Sequence, residues 1–99
     1  MMTFENTQRR IRSTSKFRKE LRQSKKQGKD MVLAEKIITM LANDEPLPLK
    51  HRDHALTGDW IGFRECHITP DWLLVYQKSD SGELILVLAR LSSHSDLNF

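Results

Sequence analysis

The fold depends most on residues 61–90, IGFRECHITPDWLLVYQKSDSGELILVLAR. Three strand-like runs in this stretch are separated by the turn sequences TPD and DSG. Short apolar runs bounded by Pro, Asp, Ser and Gly are typical of strands joined by tight turns. We therefore predict an antiparallel meander of three strands, over residues 61–68, 72–79 and 83–90.

A short strand and a basic helix are indicated upstream of the meander. The run QRRIRST (residues 8–14) has the length and alternation of a short strand. Thr14 or Ser15 then offers an N-cap for the helix KFRKELRQSKKQG (residues 16–28), which Gly28 ends.

A second helix follows directly, which makes a helical hairpin. Asp30 is its predicted N-cap, and the apolar residues of MVLAEKIITMLAN (residues 31–43) recur at helical spacing. The prolines in EPLPL (residues 45–49) end this helix and begin a loop that runs to Trp60.

Together these elements predict an α+β fold of the order β-α-α-β-β-β, with the helical hairpin packed on an antiparallel sheet. We expect one domain over residues 8–99, preceded by a flexible N-terminus over residues 1–7.

Composition excludes several classes of protein. The longest apolar run, LILVLA (residues 84–89), is far too short to span a membrane. The N-terminus lacks the apolar segment of a secretory signal, and the single cysteine, Cys66, excludes an internal disulfide. These features predict a soluble cytoplasmic protein.

Charge is distributed unevenly along the chain. Residues 1–50 hold twelve Lys and Arg against six Asp and Glu, whereas residues 51–99 hold four against seven. A basic half attracts polyanions such as nucleic acid, although a basic helix can also be an ordinary solvated surface. The candidate binding residues are Arg18, Arg22, Lys25, Lys26 and Lys29.

Histidines and carboxylates gather in the second half of the chain. Strand side chains alternate, so Glu65 and His67 should share one sheet face, about 7 Å apart. The loop, the turn and the tail can add further titratable groups to that face. Imidazoles and carboxylates together form a general acid–base set. The candidate set is His54, Glu65, His67, Asp71 and His94.

Blander interpretations compete with this one. Single strand histidines are usually solvated, and Trp60 and Trp72 are more often core residues than platforms for a base. His51, His54 and His67 with Asp71 have acceptable ligand types for a metal, but H-x-x-H in a loop is not a recognised ligand spacing. The residues alone indicate a nuclease or a binding module.

The run DHALTGDWIGFRECHITPDWLLVYQ (residues 53–77) resembles the YafQ-like branch of the RelE superfamily, the toxins of bacterial type II toxin–antitoxin pairs. With the helical hairpin, the likeness spans roughly residues 10–99. The positions that match the family's block in register are Asp53, His54, Leu56, Gly58, Trp60, Gly62, Arg64, Glu65, His67, Asp71, Trp72 and Tyr76.

The resemblance implies a β-α-α-β-β-β fold and cleavage of mRNA within the translating ribosome, without metal or other cofactor. It also implies an antitoxin encoded nearby, which binds the basic helical surface, and operator DNA bound only through the antitoxin complex. By position, it assigns catalysis to His54, Glu65, His67, Asp71 and His94, and substrate binding to Trp72, Arg64, Arg90 and Phe99.

Two departures and two alternatives accompany this assignment. Glu65 stands where relatives often have aspartate, and the tail before Phe99 is one residue longer than the family pattern. A family member of weak activity could act mainly through antitoxin and operator binding. A metal-dependent phosphodiesterase is the other alternative.

Overall fold

A computed structural model describes residue 4 and residues 6–97 of the chain. Its five strands form one sheet in the order β1-β5-β4-β3-β2. Short 3-10 turns at Leu49–His51 and Gly58–Trp60 flank β2. The elements are β1 (Arg10–Ser13), α1 (Ser15–Lys26), α2 (Met31–Ala42), β2 (His54–Ala55), β3 (Arg64–Thr69), β4 (Trp72–Ser79), β5 (Ile85–Ser92) and α3 (His94–Leu97).

The predicted fold class is confirmed, but one strand pairing differs, and two short elements, β2 and α3, were not predicted. β3, β4 and β5 form the antiparallel meander, but β1 pairs with β5 in parallel, so the sheet is mixed rather than antiparallel. β1 and β5 lie at opposite ends of the chain, and no hairpin turn sets their relative direction.

The helix boundaries follow from local capping. The Thr14 side chain accepts a hydrogen bond from the backbone N–H of Phe17 at 3.0 Å, and Asp30 accepts one from Leu33 at 3.0 Å. Gly28, between the helices, has a φ of 77°, a left-handed conformation that only glycine adopts without strain. Both predicted N-caps are confirmed.

The sheet separates two cores of unequal size. The helices cover one face with a large apolar core, whereas the other face carries only a small one built around Leu73, Val75, Ala89 and Leu97. Residues 56–63 and α3 cover that second face, in place of long helices. The face therefore has room for polar side chains. The large core contains Phe17, Ala34, Ile37, Ile38, Leu41, Ala42, Cys66, Ile68, Trp72, Leu74, Tyr76, Leu86, Leu88 and Leu91.

A buried carboxylate joins α1 to β5 beyond the end of β1. Glu20 accepts hydrogen bonds from Nε and Nη2 of Arg90, both at 2.9 Å, and from the backbone N–H of Leu91 at 3.1 Å. Burial alone would raise the pKa of Glu20, but these hydrogen bonds outweigh it and lower the pKa below its ordinary value of 4.5.

This ion pair predicts an acid-sensitive contribution to stability. A carboxylate with a lowered pKa stabilises the fold above its unfolded pKa and loses that effect as the pH falls through the folded pKa. We expect Glu20→Gln to lower the free energy of unfolding at neutral pH by about 1.5–3 kcal/mol. The difference from wild type should then shrink as the pH falls below 4.5.

Denaturant unfolding between neutral pH and about pH 3 measures this difference. Asp44, whose pKa is lowered by hydrogen bonds from Arg9 and Lys78, remains acid-sensitive in both proteins and serves as an internal control. A difference that stays constant down to the lowest pH would contradict the assignment to Glu20.

A flexible N-terminus and the absence of a membrane-spanning helix were also predicted from the sequence. Part of the predicted flexible segment, residues 1–3 and 5, lies outside the described residues, and of the rest Phe4 packs against the large core. In the part of the chain that the structure describes, no helix is long and apolar enough to cross a bilayer.

Candidate active site

The candidate site lies on the sheet face opposite the helical hairpin. Cys66 and Ile68 of β3 enter the large core, so the alternating residues Glu65 and His67 face the other way. His54 lies directly across from Glu65 in the β2–β3 pairing. The alternation inferred from sequence therefore holds along β3.

One carboxylate oxygen lies between two imidazoles. Glu65 Oε1 is 3.5 Å from His54 Nε2 and 4.0 Å from His67 Nε2. The ring of His94 lies on the far side of His67, with the two ring centroids 5.1 Å apart. Glu65 and His67 are buried, whereas His54 and His94 are exposed. The structure thus brings four predicted residues into one continuous cluster.

A cleft opens onto this cluster. It has a volume of about 280 Å³, and its walls include the polar side chains of His54, Glu65 and His94. Leu56 and Leu97 supply the apolar part of the lining. A substrate group that enters the cleft meets both exposed histidines, with the carboxylate beside them.

Backbone carbonyls fix the tautomers of two histidines. His54 Nδ1 lies 2.7 Å from the carbonyl oxygen of Arg52, and His67 Nδ1 lies 3.3 Å from that of Pro70. A carbonyl oxygen only accepts, so each Nδ1 carries a hydrogen. In both rings Nε2 is therefore the nitrogen that faces Glu65.

Asp71 supports the site from outside the cleft. Its carboxylate accepts a hydrogen bond from the backbone N–H of His94 at 3.2 Å, and it is not among the cleft's lining residues. We expected Asp71 to belong to the acid–base set itself. The structure places it where it holds the main chain of His94.

The comparison with known proteins establishes the family. The family model for the bacterial toxin of type II toxin–antitoxin systems, YafQ, matches residues 9–98. The chain belongs to the YafQ toxin family. The mRNA interferase toxin YafQ of Escherichia coli K12 is 35% identical over 91 residues, which cover 91% of this chain and 96% of that protein. The predicted family is confirmed.

Solved structures agree with the family and the fold. The toxin in the E. coli DinJ–YafQ toxin–antitoxin complex superposes with a TM-score of 0.81 at 35% identity, covering 91% of this chain and 97% of that one. A metal-bound toxin from Helicobacter pylori superposes with a TM-score of 0.83 at 45% identity, covering 89% and 97%.

The assignment of Trp72 to substrate binding in this YafQ family member is wrong. Its side chain is 2% exposed and belongs to the large core on the helix side of the sheet. The indole N–H donates to the Ser24 hydroxyl of α1 at 3.1 Å. A ring enclosed in this way cannot stack on a base at the cleft.

The two arginines assigned to substrate binding are held by carboxylates of this chain. Arg90 is paired with Glu20, and Arg64, on the opposite sheet face from Glu65, lies 3.3 Å from Asp53. The same Asp53 carboxylate also accepts a hydrogen bond from the Tyr76 hydroxyl at 2.5 Å. Burial and this carboxylate raise the pKa of Tyr76. Neither arginine lines the cleft. Phe99 lies outside the described residues.

The basic residues of the helical hairpin form an exposed surface. α1 turns Phe17, Glu20 and Ser24 inward, so its basic side chains point to solvent. Arg18 differs from the others because its guanidinium donates to the Ser13 carbonyl at 2.6 Å. We call Arg18, Arg22, Lys25, Lys26 and Lys29 the basic surface; all five are exposed.

Two features near the site had no clear signal in the sequence. α3 is only four residues long, and the signal for its start is Ser93, whose hydroxyl accepts a hydrogen bond from the backbone N–H of Asp96 at 3.4 Å. The sequence suggested His51 only as a metal ligand, but it is buried with its ring against the main chain of His67. Across residue 4 and residues 6–97, no group of three or more His, Cys, Asp or Glu side chains is arranged to hold a metal ion.

Proposed function

We propose that this protein is the toxin of a type II toxin–antitoxin pair and cleaves mRNA by acid–base catalysis within the translating ribosome. The observation that carries the proposal is the cluster in which Glu65 lies between two histidine Nε2 atoms, with a third histidine beyond them. The E. coli relative, named an mRNA interferase, supports RNA as the substrate.

The reaction has a definite proton balance. The ribose 2′-oxygen forms a bond to the adjacent phosphorus, its proton passes to one imidazole, and the bond from phosphorus to the 5′-oxygen breaks. A second, protonated imidazole gives its proton to that leaving oxygen. The products are a 2′,3′-cyclic phosphate and a 5′-hydroxyl.

The proposal assigns these transfers to the two exposed histidines. His54 and His94 both line the cleft, so a phosphodiester there can reach both rings. Glu65 orients the neighbouring imidazoles and stabilises positive charge on them, while buried His67 links Glu65 to His94. A protonated imidazole also stabilises the charge that develops on the phosphate oxygens.

The partners proposed for this chain follow from its charge and family. The basic surface supports binding to ribosomal RNA, and the ribosome would present the mRNA to the cleft. A cognate antitoxin is proposed as the second partner, by analogy with the E. coli toxin found in complex with DinJ. We place it on the same basic surface because that surface is exposed and charged. Operator DNA would be bound only through that complex, in the cytoplasm and without contact with a membrane.

Mapping of RNA ends tests the proposed reaction. Translating ribosomes programmed with mRNA are incubated with the protein at constant free Mg²⁺, which keeps the ribosomes intact, in parallel with naked RNA and with a chelator selective for transition metals. We expect cleavage only on ribosomes, resistant to chelation, with 2′,3′-cyclic phosphate ends. Loss of cleavage with the chelator would favour a metal-dependent phosphodiesterase. No cleavage despite antitoxin binding would leave the antitoxin and operator role.

Charge reversal separates binding by the basic surface from chemistry in the cleft. We expect Lys25→Glu with Lys26→Glu to weaken ribosome association and to reduce the log–log salt slope by about two units, since each lysine near a phosphate releases about one counterion. Co-sedimentation with ribosomes over a salt series measures the slope, and an antitoxin titration measures the second partner.

The matched control reverses two lysines elsewhere. Lys36 and Lys50 lie on α2 and on the 3-10 turn before β2, and both are exposed. Neither belongs to the basic surface, and reversing both changes the net charge by the same amount as Lys25→Glu with Lys26→Glu. If both double variants weaken ribosome binding to the same degree, net charge rather than the basic surface explains the effect. If neither does, the ribosome-facing surface lies elsewhere.

A further inference from the structure

The outer edge of β3 is completed by a side chain at one position. The Phe63 carbonyl accepts from the Leu56 N–H at 2.9 Å, and Glu65 pairs with His54 of β2. Two residues further along, the His67 carbonyl accepts instead from His51 Nδ1 at 2.7 Å. The His51 ring therefore takes the place of a strand neighbour.

The backbone explains why a side chain is needed here. Arg52 has a φ of 48°, a left-handed conformation, and β2 begins only at His54. The turn at Arg52 carries the main chain away from β3 before it could pair with His67. The imidazole of His51 bridges the remaining gap, and its side chain is buried at 5% exposure.

The position of this bond matters because the sheet is irregular next to it. The β3–β4 register shifts between His67 and Thr69, directly after the site histidine. A register shift loosens the ladder and re-aims the side chains beside it. His51 Nδ1 binds the His67 carbonyl on the outer edge of β3. The ring of His67 is held separately, with its Nδ1 3.3 Å from the Pro70 carbonyl oxygen.

We propose that His51 is a positioning residue that holds His67 in line between Glu65 and His94. Its Nδ1–H fixes the peptide that follows His67, and thereby the ring that links the carboxylate to the third histidine. The inference rests on the proposed function, since it assigns His51 a role through a member of the acid–base cluster.

Two substitutions of equal shape isolate the hydrogen bond. In His51→Asn the side-chain amide can donate from about the place of Nδ1, whereas His51→Leu has the same shape as asparagine and no donor. We expect His51→Leu to lower kcat for ribosomal mRNA cleavage about 10- to 100-fold with KM nearly unchanged, the usual cost of releasing a supporting hydrogen bond. His51→Asn should restore most of that loss. Thermal melts establish the folded fraction to which each rate is normalised.

A double-mutant cycle tests whether His51 acts through His67. In a His67→Asn background, His51→Leu should cause no further loss, because the group that it positions is already gone. An equal loss in both backgrounds would overturn the proposal and leave His51 as an edge cap of the sheet. If His51→Leu does not fold, His51→Ala below its melting transition provides the same comparison.

The cycle also separates this inference from the proposed function. If His67→Asn is inactive while His51→Leu cleaves like wild type, the positioning role is wrong and the acid–base site stands. If His67→Asn itself cleaves like wild type, His67 takes no part in the reaction and the positioning role falls, whereas the acid–base function is refuted only if His94→Ala also cleaves like wild type.

Discussion

Replacing His94 by alanine is expected to lower mRNA cleavage by about 10²–10⁴-fold, the usual contribution of one proton-transfer group. His94 lines the cleft and is exposed, so its removal should change the free energy of unfolding by less than about 1 kcal/mol. The same loss of activity is expected for His67, but the substitution must differ. His67 is buried, although single strand histidines are usually solvated, and its Nδ1 faces the Pro70 carbonyl.

His67→Asn suits the buried position because asparagine keeps a donor near Nδ1 while it removes Nε2. Cleavage on ribosomes is measured for both variants, together with thermal melts. Ser95→Ala, an exposed change on α3 beside His94, is the matched control and should retain activity. Near-wild-type cleavage by both histidine variants would refute the acid–base assignment.

The second large effect concerns stability. Trp72→Ala is expected to lower the free energy of unfolding by about 3–5 kcal/mol, since it empties a large, fully buried position in the core. That loss is a large fraction of the roughly 5–15 kcal/mol typical of a whole domain. Chemical denaturation measures it directly, and partial unfolding at physiological temperature would follow.

Trp72→Phe distinguishes core packing from base stacking. Phenylalanine fills most of the volume but loses the hydrogen bond to Ser24, at a cost of about 1–3 kcal/mol. Ser24→Ala removes the acceptor from the other side, and the double variant should cost less than the sum of the two. Folded Trp72→Phe should cleave mRNA at close to the wild-type rate. Unchanged stability of Trp72→Ala with loss of cleavage would restore the stacking role.

Local patterns in the chain predicted most of the fold. Capping by Thr14 and Asp30 depends on residues within one helical turn, and alternation along β3 depends on residues two apart. Such short-range rules are set by backbone geometry. They therefore suffice to predict the helix starts and to place Glu65 and His67 on one face.

The membership of the site could be predicted in part for the same reason. Alternation placed Glu65 with His67, and the loop and the tail were expected to add His54 and His94, which the structure brings beside them. The family resemblance also assigned Trp72, Arg64 and Arg90 to the substrate. The resemblance could not indicate that Trp72 lies in the core or that both arginines pair with carboxylates of this chain. The residues that they contact are distant in sequence.

Sequence patterns were enough to predict β1, the two long helices and the three strands of the meander, and to place Glu65 and His67 on one sheet face, but not the short β2 and α3. The family followed from the resemblance carried by residues 53–77. The parallel pairing of β1 with β5, the enclosure of Trp72 and the contact of His51 with His67 emerge only in the folded chain. The difference is one of range. Capping and alternation are enforced by neighbouring peptide units, whereas burial and ion pairing depend on which distant segments the packed core brings together.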